Sequence, residues 1–222
     1  MQQPLAPLRR ESTASIIADQ IRAGIMEGRF APGEQMSEVW LAQQLDVSRG
    51  VLREAMQRLV QEGLLRSERY RGLFVIELDT DDVRDIYLAR EAIELAAVQA
   101  LIRGRDPGAS DPLFKIVKRM ETAARSRRAS SLAQLDLRFH AQLVEASGSP
   151  RLKRALGALL VETQMCLNRL PQRYPDPGEL VAEHRELLAA IFARDEPRAL
   201  DLVRAHMADA VERLSPVGAE PA

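Results

Sequence analysis

Three histidines and one aspartate have the spacing of a metal-binding set. The chain contains only three histidines, and each lies in a segment whose apolar residues repeat with helical spacing. Asp136 and His140 are four residues apart, so they share one face of a helix. His184 and His206 lie within the apolar stripes of two later segments. All four side chains are therefore predicted to point into a helical core.

A buried carboxylate and three buried imidazoles are unstable unless a partner compensates them, and a divalent cation is such a partner. We therefore predict a metal site formed by Asp136, His140, His184 and His206. Three nitrogens and one oxygen suit Zn²⁺ or Ni²⁺, whereas Mn²⁺ or Fe²⁺ would fit if water or a ligand filled open positions. Taken singly, each histidine is more typical of a satisfied core or helix-capping residue.

The same donor set could activate water, so a metal-dependent hydrolase or another metalloenzyme is the alternative. The sequence has no His-Glu-x-x-His motif, and no Ser or Cys nucleophile stands beside a histidine. Glu183 is next to His184 in sequence, but its side chain points about 100° away around the helix, so it is not placed as a catalytic base. We therefore expect no enzymatic activity. A purely structural metal is a third possibility.

Six helical segments must position these residues. Apolar periodicity, with proline and glycine between the segments, places helices near residues 81–103, 113–126, 130–146, 151–170, 178–193 and 196–214. These helices predict an all-α antiparallel bundle of six or seven helices over residues 83–214. A linker over 78–82, with Thr80 as the N-cap of the first helix, precedes it. Flexible tails are expected at 1–10 and 215–222.

The N-terminal part has a pattern typical of a DNA-reading unit. Leu41–Leu45 predicts a short helix, and Ser48 can cap a second helix that ends at Gly63. Two short apolar strands follow, joined by the basic tip Arg69–Gly72. We predict a winged helix-turn-helix over residues 11–77, so the fold is mainly α.

Two arginines lie near the start of the second of these helices. Arg49 and Arg53 are four residues apart and can enter the major groove, where arginine reads guanine with two hydrogen bonds. Surface salt bridges are the alternative role for both. Ser48 can hydrogen-bond a phosphate at the helix N-terminus. Trp40 is interpreted as a core or domain-interface residue rather than a DNA contact.

Charge and composition restrict the class of protein. The net charge of −1 and the pI near 6.4 argue against binding nucleic acid by bulk charge. Residues 49–71 nevertheless carry six arginines and three acidic residues, which suits a dimer that docks a small basic surface of each copy. No apolar run approaches the roughly 18 residues needed to span a bilayer. A single Cys166 suits a reducing compartment, so we expect a cytoplasmic protein that binds no membrane.

The segment Ser48–Ala55, SRGVLREA, resembles the recognition-helix signature of the GntR family of bacterial transcription regulators. Residues 30–34, 62–65 and 71–75 match further family segments in the same order. Gly50-Val51 replaces the Thr-Pro pair that the family usually carries. The resemblance implies that Arg71 and Gly72, at the tip of the wing, contact the edge of a DNA groove.

The Asp136-x-x-x-His140 pair with His184 and His206 also resembles the metal ligands of the FCD domain. This is the effector-binding domain of the FadR-type branch of the family. Arg90, four residues before Glu94, matches a recurrent Arg-x-x-x-Glu of that domain. Arg90 is expected either to pair with Glu94 or to hold the carboxylate of an effector.

These observations lead to one functional hypothesis. We expect a homodimeric transcription regulator, more typical of a repressor, that binds a pseudo-palindromic double-stranded DNA operator. Its helical domain would bind a divalent metal and a small organic acid, and the acid would alter operator affinity.

Overall fold

A computed structural model describes residues 12–104, 108, 110–126, 129–169 and 176–214. The chain divides into two compact units after Glu77. The tails predicted at 1–10 and 215–222 lie outside the described residues. Each unit is described by itself below.

The first unit is a winged helix-turn-helix. Its described elements are α1 (Thr13–Met26), β1 (Gln35–Met36), α2 (Glu38–Gln44), α3 (Arg49–Gln61), β2 (Leu65–Glu68) and β3 (Gly72–Val75). The three strands form an antiparallel sheet in the order β1-β3-β2, and β2 with β3 forms the wing. Strand β1 was not predicted, because two residues carry no readable alternation.

Local sequence explains where these helices begin and end. The hydroxyl of Ser48 accepts a hydrogen bond from the backbone N–H of Val51, so α3 starts without the usual Thr-Pro pair. Gly63 follows α3 with a φ of +77°, a conformation that glycine adopts without steric cost. Trp40 is half exposed, so it does not lie in the core, and a place at a domain interface stays a prediction. Leu52, Met56 and their buried neighbours on α1 fill the core instead.

The second unit consists of helices throughout the part of the chain that is described. They are α4 (Thr80–Arg103), α5 (Asp111–Arg125), α6 (Ala129–Ala146), α7 (Pro150–Arg169), α8 (Pro177–Phe192) and α9 (Glu196–Leu214). Asp79 caps α4 through the backbone N–H groups of Asp81 and Asp82. The predicted N-cap, Thr80, is instead the first helical residue.

Helix α4 is the central helix of this bundle. It contacts α6, α7, α8 and α9, so most of its circumference is covered. Arg90 and Glu94 on α4 are consequently buried, although both are charged. No described helix has the length and apolar character needed to cross a membrane.

Candidate metal centre and nucleic-acid interface

The four predicted metal ligands converge inside the helical unit. Helix α6 supplies Asp136 and His140, α8 supplies His184, and α9 supplies His206. One ligand atom from each residue lies within 4.8 Å of all the others. Nε2 of His184 is 3.0 Å from Oδ1 of Asp136, and Nε2 of His140 is 3.1 Å from Nε2 of His206.

Each histidine is oriented by a hydrogen bond from its other ring nitrogen. Nδ1 of His140 donates to Oε2 of Glu94 at 2.5 Å, and Nδ1 of His206 donates to Oε2 of Glu183 at 2.9 Å. Nδ1 of His184 donates to the backbone carbonyl of Leu180 at 2.8 Å. These bonds direct every Nε2 into the cluster, where it can bind a metal once it carries no proton.

The cluster suits a divalent ion because its ligand atoms are of the right type, and also because two of them lack a hydrogen-bond partner. Oδ1 of Asp136 and Nε2 of His184 are buried and lie 3.0 Å apart, but they make no hydrogen bond to each other or to another group. Buried polar atoms normally have partners, and a cation between these two atoms would serve both. Two ligand atoms that are each about 2.1 Å from an ion lie at most about 4.2 Å apart. The ligand atoms of this cluster lie within 4.8 Å of one another, which is close to that limit.

The pKa shifts of the buried groups show that the cluster favours positive charge at His140 and negative charge at its carboxylates. Burial lowers the pKa of His140, but the nearby carboxylates of Glu94 and Asp136 outweigh it and raise the pKa to about 9. Burial raises the pKa of Glu94, yet His140 and Arg90 bring it down to about 2. Burial also raises the pKa of Asp136, but His140 and His184 hold it well below its usual value. A proton on His140 therefore balances the carboxylates without an ion.

Arg90 is engaged by Glu94. Its Nε and Nη2 donate to Oε1 of Glu94 at 3.1 and 3.0 Å, while Oε2 of the same carboxylate accepts from His140. Nη1 of Arg90 lies 3.5 Å from the hydroxyl of Thr163, and its guanidinium packs over the ring of Tyr87. Arg90 thus reaches the cluster through Glu94 and His140.

A small cavity opens beside the cluster. Its lining residues are His140, Glu183, His184, Leu187, Leu202 and His206. Its volume is about 10 Å³, close to the minimum for one water molecule. Arg90 is not among its lining residues.

The predicted DNA contacts lie on exposed surface of the first unit. Ser48, Arg49 and Gly50 are exposed at the start of α3. Arg49 has no ion-pair partner among the described residues. Arg53 pairs with Glu38 of α2, its Nε lying 2.7 Å from Oε2, and Arg58 pairs with Glu54 one helical turn earlier.

The wing presents an exposed basic tip. Arg71 pairs with Glu68, and Gly72 has a φ of +103°, which an L-residue adopts only with strain. Tyr70 is 91% exposed, and the guanidinium of Arg69 lies over its ring. The polar side chains of this tip are therefore accessible for contact with a DNA groove.

Comparison with known families decides the identity. Residues 13–75 match the family of bacterial regulatory proteins named gntR, and residues 85–209 match the FCD domain. The chain belongs to the GntR family. The FCD domain assigns this regulator to the FadR-type branch.

Relatives over nearly the whole chain agree. The regulator is 28% identical to the gluconate operon transcriptional repressor of Bacillus subtilis, over 91% of this chain and 84% of that protein. It is 28% identical to the transcriptional repressor GlaR of Escherichia coli, over 84% of this chain and 89% of the other. The structure of McbR/YncC from E. coli matches 92% of this chain and 98% of its own, with a TM-score of 0.74 and 22% identity.

The family assignment establishes a DNA-binding transcription regulator. GlaR and the gluconate operon protein are transcriptional repressors, so the metalloenzyme alternative has no support from these two relatives. Two residues of the cluster were missed from sequence: Glu94 as the partner of His140, and Glu183 as the partner of His206. Glu183 points away from His184 on α8, but α9 brings His206 to it.

Proposed function

We propose that the regulator is a homodimeric repressor whose helical unit binds a divalent ion and a small organic acid. One observation carries the metal part: three Nε2 atoms and Oδ1 of Asp136 converge at a buried point where two atoms lack partners. Zn²⁺ or Ni²⁺ suits these donors, and Mn²⁺ or Fe²⁺ suits them if water fills open positions. The proposed ligands are Asp136, His140, His184 and His206.

Charge supports an anionic effector. With the histidines neutral, the two positive charges of the ion and that of Arg90 exceed the negative charges of Glu94 and Asp136 by one. Glu183 also lines the cavity, and its negative charge is compensated by Arg213 at 3.3 Å. An effector carboxylate would neutralise this excess in a low-dielectric interior. Arg90 does not line the cavity, so it would act on the effector only through its positive charge, which is paired with Glu94.

Size supports a coupled movement. A cavity of about 10 Å³ admits a water molecule and excludes a carboxylic acid. Leu187 on α8 and Leu202 on α9 must therefore move when an acid enters. Such a displacement gives bound and free states with different packing, which is the requirement for an effector to change operator affinity.

The proposed DNA surface comprises Ser48, Arg49 and Arg53 at the start of α3 and Arg71 with Gly72 at the wing. Ser48 and the wing would position the protein on the backbone and groove edge, whereas the two arginines would read guanine. Two copies would bind a pseudo-palindromic operator. Replacing Arg53 by Ala should abolish discrimination between operator and unrelated duplex, whereas Arg58→Ala should preserve it.

Elemental analysis of protein purified without chelator tests the metal. We expect about one divalent ion per chain and none in the double variant Asp136→Ala, His184→Ala. Asp209→Ala is the matched control, because Asp209 lies on α9 and pairs with Arg213 outside the cluster. Protein that is metal-free when purified, and that binds no added ion, would exclude the site.

A thermal-shift screen of small carboxylic acids on metal-loaded protein tests the effector. Acids that bind should raise the melting temperature of loaded protein, leave metal-free protein unchanged, and alter operator affinity. The corresponding amides serve as uncharged controls. A large stabilisation by metal with no response to any acid would instead indicate a purely structural ion.

A further inference from the structure

One ion pair links the two helices of the helix-turn-helix at a predicted DNA-contact residue. Glu38 is the first residue of α2, and its Oε2 lies 2.7 Å from Nε of Arg53 on α3. The side chain of Glu38 is 27% exposed and that of Arg53 is 59% exposed. The carboxylate is therefore partly held by the protein, while the arginine extends into solvent.

Stability of the domain does not explain this pair. Exposed ion pairs contribute little to folding, because solvent screens them and two side chains lose conformational freedom. Leu41, Ala42, Leu52 and Ala55 are buried and already hold α2 against α3. The main consequence of the pair is that it restricts the direction of the Arg53 side chain.

The ion pair with Glu38 leaves the two terminal nitrogens of the Arg53 guanidinium free to bind a base. The contact with Glu38 occupies Nε of Arg53, and no described residue accepts from Nη1 or Nη2, which remain available as two parallel donors. Two such donors match O6 and N7 of guanine in the major groove. The contrast on the same helix is Arg58, whose Nη2 is occupied by Glu54 at 2.9 Å.

The carboxylate of Glu38 is also expected to weaken binding to DNA of unrelated sequence. A negative charge beside a basic contact repels phosphates, which supply most of the affinity for unrelated sequences. A side chain that is already directed loses less conformational freedom when it binds a base. Both effects raise the preference for a matching sequence over a random one.

We propose that Glu38 is a positioning residue that directs Arg53 towards guanine and thereby sets operator specificity. This inference rests on the proposed function, in which Arg53 reads a base. Glu38 itself does not need to touch DNA.

Specificity of the full chain for a duplex that the wild-type protein selects from a random pool provides the test. Affinity for this duplex is divided by affinity for an unrelated duplex of equal length. We expect Glu38→Gln to lower this ratio about tenfold, with affinity for the unrelated duplex unchanged or increased. Glu54→Gln is the matched control: it removes the same charge from the α3 pair with Arg58, and the ratio should stay within about twofold.

A guanine analogue identifies the base contact. Replacing guanines of the selected duplex singly by 7-deazaguanine should weaken the wild-type protein about tenfold at the base that Arg53 reads. The same replacement should weaken Glu38→Gln by a much smaller factor. Equal losses for the two proteins would show that Glu38 does not act through this base, and would overturn the inference.

Arg53→Ala separates this inference from the proposed function. Undiminished specificity in Arg53→Ala would overturn both, since no base would be read there. Lost specificity in Arg53→Ala with an unchanged ratio in Glu38→Gln would overturn the positioning role alone. A parallel fall of both affinities and of the melting temperature in Glu38→Gln would assign the residue a structural role instead.

Discussion

At the scale of single residues, the cluster depends on bonds that point away from its centre. A ligand nitrogen is useful to an ion only when the opposite nitrogen of the ring carries the proton. Glu94, Glu183 and the carbonyl of Leu180 impose that arrangement on the three histidines. Partners of this kind orient the ring and increase its basicity.

Glu183→Ala should weaken metal binding by about 10- to 100-fold, because His206 loses the acceptor that orients its ring. Competition with a fluorescent chelator measures the affinity. Glu183→Gln should restore most of it, since an amide oxygen still accepts the hydrogen bond. Asp209→Ala removes another acidic partner of Arg213 and should leave the affinity within about threefold. Equal losses in both Ala variants would contradict the orienting role of Glu183.

Metal affinity should depend on pH through His140. Its pKa is raised to about 9, so the metal-free protein holds a proton there at lower pH, and an ion must displace it. The affinity should therefore fall about tenfold for each unit that pH falls between about 8.5 and 7.5. Burial lowers the pKa of His206 to about 4, so His206 adds no competing proton in this range.

Calorimetry in two buffers of different ionisation enthalpy counts the protons released. About one proton per ion is expected from His140 at about pH 8. Glu94→Gln removes the main neighbour that raises the pKa of His140, so fewer protons should be released. Release that does not differ between the two proteins would argue against His140 as the protonated ligand.

At the scale of elements, periodicity and caps made most of the helices predictable. The last helix was predicted with its observed bounds, Glu196–Leu214, because Asp195 before it accepts from the backbone N–H of Arg198. Periodicity also placed the four proposed ligands inside, because inward positions on a helix recur at fixed spacing. It could not pair Glu183 with His206 or Glu94 with His140, since these contacts join different helices. It also could not tell a core position from a surface position for Trp40, because apolar character does not reveal which face lacks a neighbour.

Two glycines test the role of backbone conformation. A Cβ added at Gly28 or Gly157 meets nothing within 4 Å, so neither substitution is opposed by packing. Gly28 follows α1 with a φ of +75°, whereas Gly157 lies inside α7. Gly28→Ala should destabilise its unit by about 1–2 kcal/mol, and Gly157→Ala should stabilise its own by up to about 1 kcal/mol. Urea denaturation measures both, and equal effects of the same sign would contradict the argument.

At the scale of the whole molecule, charge separates the DNA-reading segment from the rest. The chain has a net charge of −1, although residues 49–71 carry twice as many arginines as acidic residues. Phosphate neutralisation supplies most of the affinity for DNA, and it scales with the number of basic contacts. One copy offers few of these, so two linked copies are the expected source of tight binding.

Operator geometry therefore tests the proposed dimer. A duplex with one half-site should bind at least about 100-fold more weakly than one with two, because the second contact becomes intramolecular once the first has formed. Mobility-shift titration at one salt concentration measures the difference. Moving the half-sites apart by about five base pairs places them on opposite faces of the helix and should cause a similar loss. A single half-site bound as tightly as the full operator would mean that each copy acts alone, and an acid that changes the distance between two readers would then have no effect on repression.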